Sequence, residues 1–98
     1  MKFTLELDPR AIQDIQEAID YYDEQLVGLG EKFEAYLNKY MKSLAKNPFY
    51  QIRYDSIRCF PLKKYPYMIH FTVDEKLNTI YIHSVLNTSR DPKEYWIK

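Results

Sequence analysis

Glycine, cysteine and tryptophan are scarce here: 98 residues contain two glycines, one cysteine and one tryptophan. A lone Cys59 cannot close an internal disulfide and offers no paired ligand spacing for a structural zinc, which suits a reducing cytoplasm. No run approaches the ~18 apolar residues of a membrane span, and Met1–Glu6 is too interrupted by charge to serve as a signal peptide. A soluble cytoplasmic chain is therefore expected. There is no excess charge of either sign, with 14 basic against 14 acidic residues, so no global basic field exists to grip a polyanion or an acidic membrane. Any such partner must be met by a local patch. Phosphate loops, nucleophile elbows and dinucleotide fingerprints are also missing, and no cofactor or metal is expected. What is abundant is apolar and aromatic material: 46% hydrophobic residues, with ten tyrosines and five phenylalanines. That is enough for one core and too little chain for two, so residues 1–98 should fold as a single domain.

The apolar pattern changes period along the chain. In Phe3-Thr4-Leu5-Glu6-Leu7 it alternates, as in a strand with one buried face. Asp8-Pro9 then reads as a helix start, since a carboxylate accepts orphan N–H groups and proline in the first turn sacrifices no donor. Ala11, Ile12, Ile15, Ala18, Ile19, Tyr22 and Leu26 form one helical stripe, which Gly28 should close in a left-handed conformation. A second stripe, from Phe33 through Tyr36, Leu37, Tyr40 and Met41 to Leu44, stops at Asn47-Pro48. Two helices with so short a link must fold back as an antiparallel hairpin. Beyond Pro48, Ile57–Leu62, Tyr67–Val73 and Thr79–Leu86 read as strands joined by short turns, hence an antiparallel meander. Asp91-Pro92 repeats the helix-start chemistry, predicting a last turn over Lys93–Trp96. The expected fold is α+β, β-α-α-β-β-β, with the helix hairpin on one face of an antiparallel sheet.

Alternation also predicts faces. Ile69, Phe71 and Val73, with Ile80, Ile82, Ser84 and Leu86, should lie under the helices. Met68, His70, Thr72, Tyr81, His83, Val85 and Asn87 should then line an open face. Between Ile57/Cys59 and Phe60/Leu62 the pattern does not choose. Residues 1–49 carry six basic and nine acidic side chains, residues 50–98 eight and five. The neutral total thus conceals an acidic helical half and a basic sheet half.

Taken together, Asp14-Ile15, Glu17-Ala18, Tyr21-Tyr22, Gly28-Leu29-Gly30, Phe33, Asn47-Pro48, Tyr65-Pro66-Tyr67, Ile69, Val73-Asp74-Glu75, Val85-Leu86, Thr88-Ser89-Arg90-Asp91-Pro92 and Trp96 resemble, in order and spacing, the RelE/ParE family of type II toxins. The resemblance covers almost the whole chain and implies the toxin of a plasmid-stabilisation type toxin–antitoxin module, inhibiting growth until a cognate antitoxin covers it. It implies either ribosome-dependent mRNA cleavage without a metal or poisoning of DNA gyrase without chemistry of its own. A decayed toxin that only binds its antitoxin is the third alternative. The chain departs from the family pattern at Asn87, where histidine is common, and at Met68, where arginine is common.

RNA cleavage through a 2′-hydroxyl needs a base, an acid and positive charge at the phosphate. On the resemblance, Arg58 and Arg90 are the candidate phosphate stabilisers, because arginine keeps its charge and presents a fork to phosphate oxygens. Tyr95 is the family's C-terminal tyrosine. Asn87 carries no titratable proton, so the proton carrier falls to His70 or His83. A four-residue turn at Glu75–Asn78 pairs Asp74 with Thr79, which would set His70 directly opposite His83. Lys63, Lys64, Arg53 and Asn87 are the expected substrate contacts, with Arg90 aimed at the open face beside Asn87. Tyr54, Tyr65, Tyr67 and Tyr81 interleave with these cations as in base-stacking surfaces, though strands favour tyrosine for packing alone. The antitoxin is expected over the helix hairpin and the sheet edge.

Overall fold

A computed structural model describes residues 2–50 and 52–88, apart from the side chain of Arg53. The elements run β1 (Thr4–Leu7), α1 (Pro9–Gln25), α2 (Leu29–Lys46), β2 (Ile52–Tyr54), β3 (Ile57–Pro61), β4 (Tyr67–Asp74) and β5 (Thr79–Asn87). The α+β class, the helix hairpin and the meander are as expected. Two details extend the expectation. The three-residue β2 adds a strand, and β1 joins the sheet parallel to β5, giving a mixed sheet of order β1-β5-β4-β3-β2. A parallel neighbour needs a crossover, and the whole hairpin α1–α2 supplies one within the long connection from β1. The turn expected after Asp91-Pro92 lies outside the described residues.

Local chemistry explains the boundaries. Asp8 caps α1, its Oδ1 accepting the Arg10 N–H at 2.8 Å, with Pro9 in the first turn. Gly28 is left-handed at φ 95°, as expected, but it opens α2; α1 has already ended at Gln25. Gly30 is the closest approach of the hairpin. A Cβ there would stand 2.5 Å from the Ile19 carbonyl oxygen, and the Gly30 N–H instead donates to Asp23 Oδ1 at 2.9 Å. The helices bury Ala11, Ala18, Phe33, Leu37, Met41 and Leu44 against Phe60, Ile69, Phe71, Ile80, Ile82 and Val85.

The face assignment changes halfway along β5. Phe71 pairs with Ile82, yet His70 pairs with Ser84, so His83 is an extra residue in β5. Such a bulge exchanges the faces of everything beyond it. Val85, expected on the open face, is a core residue 2% exposed, and Ser84 and Leu86, expected beneath the helices, share the opposite face with their partners His70 and Met68. That face is not open as expected, since His70, Ser84 and Met68 are all buried on it. Asn87, the partner of Tyr67, likewise moves to the helix face. In β3 the undecided pattern resolves: Phe60 pairs with Ile69 in the core, and Cys59 with His70 on the other side.

Candidate functional site

Three groups of the expected site residues emerge. The first is at the end of the sheet where β3, β4 and β5 meet the α1 flank. The β3–β4 turn exposes Lys63 and Lys64, and it is fastened on both sides. Lys64 N–H donates to the Tyr36 hydroxyl of α2 at 3.0 Å, and Thr88 N–H donates to the Pro66 carbonyl at 2.7 Å. Asn87 therefore ends β5 beside this turn. It lines a cleft of about 360 Å³ with Asp14, Glu17, Tyr21, Tyr67 and Leu86. Asp14 helps to shape the cleft, because its Oδ2 accepts the Val85 N–H at 3.0 Å. A carboxylate placed on this N–H holds the strand next to its bulge. The half-buried Asp14, alone among the described α1 acidic residues in holding a strand, belongs to the site's frame.

The second group is on the face of the sheet away from the helices, where Cys59, Met68 and Ser84 are buried. His70 is 1% exposed, with the Tyr54 hydroxyl 3.1 Å and Cys59 Sγ 3.6 Å from its Nδ1. Burial, followed by the neighbouring Cys59 and Asp55, pushes the Tyr54 phenol up, while the charge of Arg10 works against that shift. Tyr54 thus keeps its proton, and its hydroxyl shares a hydrogen bond with Nδ1 whose direction follows the tautomer of His70. Arg10, whose charge reaches this face from the first turn of α1, was absent from the sequence-level candidates. His83 does not face His70, contrary to the expected pairing. It occupies the bulge, with Nε2 2.8 Å from Thr72 Oγ1.

Arg58 stands apart from both. Its cross-strand partner is the core residue Phe71, so it belongs to the helix face, while His70 on the next residue of β4 faces the other way. Its Nη1 donates to the Tyr50 carbonyl at 2.7 Å, and the guanidinium is 5.4 Å from the Phe49 ring centre. The sheet itself thus separates Arg58 from the histidines. Arg53 belongs to β2, with its side chain outside the described residues, as are Arg90 and Tyr95 entirely. Along β4, His70 is three residues from Tyr67, the partner of Asn87, or about 10 Å at strand spacing. Among the described residues no cluster of three or more His, Cys, Asp or Glu side chains could hold a metal, and no helix is long and apolar enough to cross a membrane.

With the geometry in place, comparison with known proteins is informative. The family model described as the ParE toxin of the type II toxin–antitoxin system parDE matches residues 5–92. Among solved structures, a chain of the chromosomal ParDE toxin–antitoxin system from P. aeruginosa superposes with a TM-score of 0.75 at 18% identity, covering 88% of this chain and 96% of that one. A chain of the intact E. coli RelBE toxin–antitoxin complex gives 0.69 at 17% identity, covering 90% and 99%. The isolated E. coli RelE toxin gives 0.67 at 16% identity, covering 91% and 87%. No curated protein matches the sequence. At these identities the superpositions speak for the fold.

Proposed function

The chain belongs to the ParE toxin family of type II toxin–antitoxin systems, and from that premise we propose that it arrests growth by binding cytoplasmic DNA gyrase, without cutting RNA. The observation that carries this reading is the dispersal, among the described residues, of the groups a nuclease would need. General acid–base catalysis requires the proton carrier within hydrogen-bond reach of the reacting oxygen, beside the charge that stabilises the phosphate. Here Arg58 and His70 occupy opposite faces of one sheet, and His83 is turned to Thr72. At the end of the sheet where Lys63 and Lys64 could hold a phosphate, the residue facing the cleft is Asn87, which exchanges no proton near neutral pH. A binding toxin has no such requirement. It needs a rigid, shaped surface, and the fastened β3–β4 turn with the Asn87 cleft provides one.

An antitoxin partner accompanies this reading, since toxin–antitoxin complexes are among the structural relatives. The test pairs two assays on the purified chain freed from its antitoxin: supercoiling by gyrase, and cleavage of mRNA on programmed ribosomes. Loss of supercoiling with intact message is expected. Message cut on the ribosome, with supercoiling untouched, would refute the proposal and return Arg90 and Tyr95 to the position of catalytic residues.

A further inference from the structure

The half-by-half charge division of the sequence hides a sharper one between the two helices. α1 carries Arg10 against Asp14, Glu17, Asp20, Asp23 and Glu24, whereas α2 carries four lysines against two glutamates. Both glutamates, Glu31 and Glu34, are in the early turns of α2. Lys39, Lys42 and Lys46 follow at spacings of three and four, so they share one face, and all three are exposed. They line a groove of about 490 Å³ with Ala35, Asn38 and Ser43. Among the described residues no carboxylate lines it.

This face continues onto the β3–β4 turn through tyrosines. The Tyr36 ring is 4.7 Å from Tyr40 and 5.1 Å from Tyr65. The Lys39 ammonium is 5.8 Å from the Tyr40 ring centre, and that of Lys64 is 5.9 Å from Tyr65. The ladder fixes the Lys63–Lys64 turn to the helix, so five lysines share one rigid support. The acidic α1 lies on a separate helix, giving the molecule a basic side without net charge.

We propose that the outer face of α2 from Lys39 to Lys46, extended by Lys63 and Lys64, binds the phosphate backbone of duplex DNA. Spacing supports a regular double strand. Seven residues of helix rise about 10 Å, the axial length of about three base pairs at ~3.4 Å each, so the three ammonium groups can reach neighbouring phosphates. The chemistry supports backbone contact without base reading: ammonium groups neutralise phosphates but carry no fork for base edges. Single strands are disfavoured, because the tyrosine faces that would stack on bases are already packed on one another.

The assay is fluorescence anisotropy of a short DNA duplex with the whole chain, without gyrase, so its outcome and that of the supercoiling assay are read independently. For three to five contacted phosphates, log K should fall with log salt at a slope of about −2.7 to −4.5 between about 50 and 200 mM. The triple variant Lys39→Gln/Lys42→Gln/Lys46→Gln keeps good helix formers. It should flatten that slope by about 2.7 and weaken binding at least tenfold at the low-salt end, with helical circular dichroism unchanged. Lys76→Gln, whose side chain lines a separate cleft with Asp55, Asp74 and His83, should bind as the parent does. Unchanged affinity and slope in the triple variant would overturn the proposal. So would tighter binding of duplex RNA or of polyglutamate than of DNA.

Discussion

Replacing Gly30 with alanine pits two effects of opposite sign against each other, and the geometry decides between them. In a free helix the change is favourable by up to ~1 kcal/mol. In this hairpin the new methyl would stand 2.5 Å from the Ile19 carbonyl oxygen and 2.8 Å from Asp23 Cγ and Oδ1. A backbone oxygen cannot swing aside, so α1 and α2 must separate. Overpacking of this kind costs ~1–3 kcal/mol. Separation also strains the Gly30 N–H bond to the Asp23 carboxylate, a charge-assisted bond of ~1.5–3 kcal/mol. The net expectation is a loss of about 2–4 kcal/mol, which for a domain of this size lowers Tm by roughly 10–25 °C. Urea and thermal unfolding of Gly30→Ala against the parent measure it. Two companions sharpen the test. Gly28→Ala meets nothing within 4 Å but sits at φ 95°, so it should cost only ~1–2 kcal/mol. Asp23→Ala in the Gly30→Ala background should not restore stability, because the Ile19 oxygen remains. Parental or higher stability of Gly30→Ala, within about 0.5 kcal/mol, would refute the reasoning.

Asp14→Ala should destabilise the fold by ~1–3 kcal/mol in chemical unfolding, because it strips the acceptor from the Val85 N–H beside the β5 bulge; the substitution Asp14→Asn, which keeps an oxygen acceptor, should cost less. Tyr22 predicts a pH dependence. Burial, then Tyr67, Tyr21 and Tyr65, push its phenol up to about 12 from its ordinary value of 10.0, so the native state favours the protonated form. That contribution is fully present below pH ~10 and lost as pH rises towards ~12. The urea midpoint should fall more steeply from pH 9 to 11 in the parent than in Tyr22→Phe, and equal slopes would remove Tyr22 from the account.

Much of the architecture was legible because local signals and tertiary demands agree. Asp8-Pro9 begins a helix by its own chemistry, the two apolar stripes need a common surface, and the four-residue turn after Asp74 sets the Asp74–Thr79 pair correctly. The family resemblance was legible for the same reason, its markers being the turns and caps that organise the fold. Gly28 shows the boundary of such reasoning: its left-handed conformation follows from glycine itself, but which helix it terminates depends on how closely α1 and α2 approach at Gly30.

The candidate site was decided by tertiary structure. A single extra residue at His83 reverses the faces of Ser84 to Asn87, and period-two alternation cannot report it, because valine, leucine and asparagine fit either face of a strand. From that reversal follow the burial of Val85, the turn of Asn87 into the α1 cleft and the loss of the His70–His83 pair. The separation of Arg58 from the histidines is likewise a matter of register across β3 and β4, set by the burial of Phe60, Ile69 and Phe71 together. The sequence by itself determined the elements, their order and the family, because those rest on periods and caps local to a few residues. Only the folded sheet decided which side chains meet, because strand register is chosen by contacts far apart in the chain.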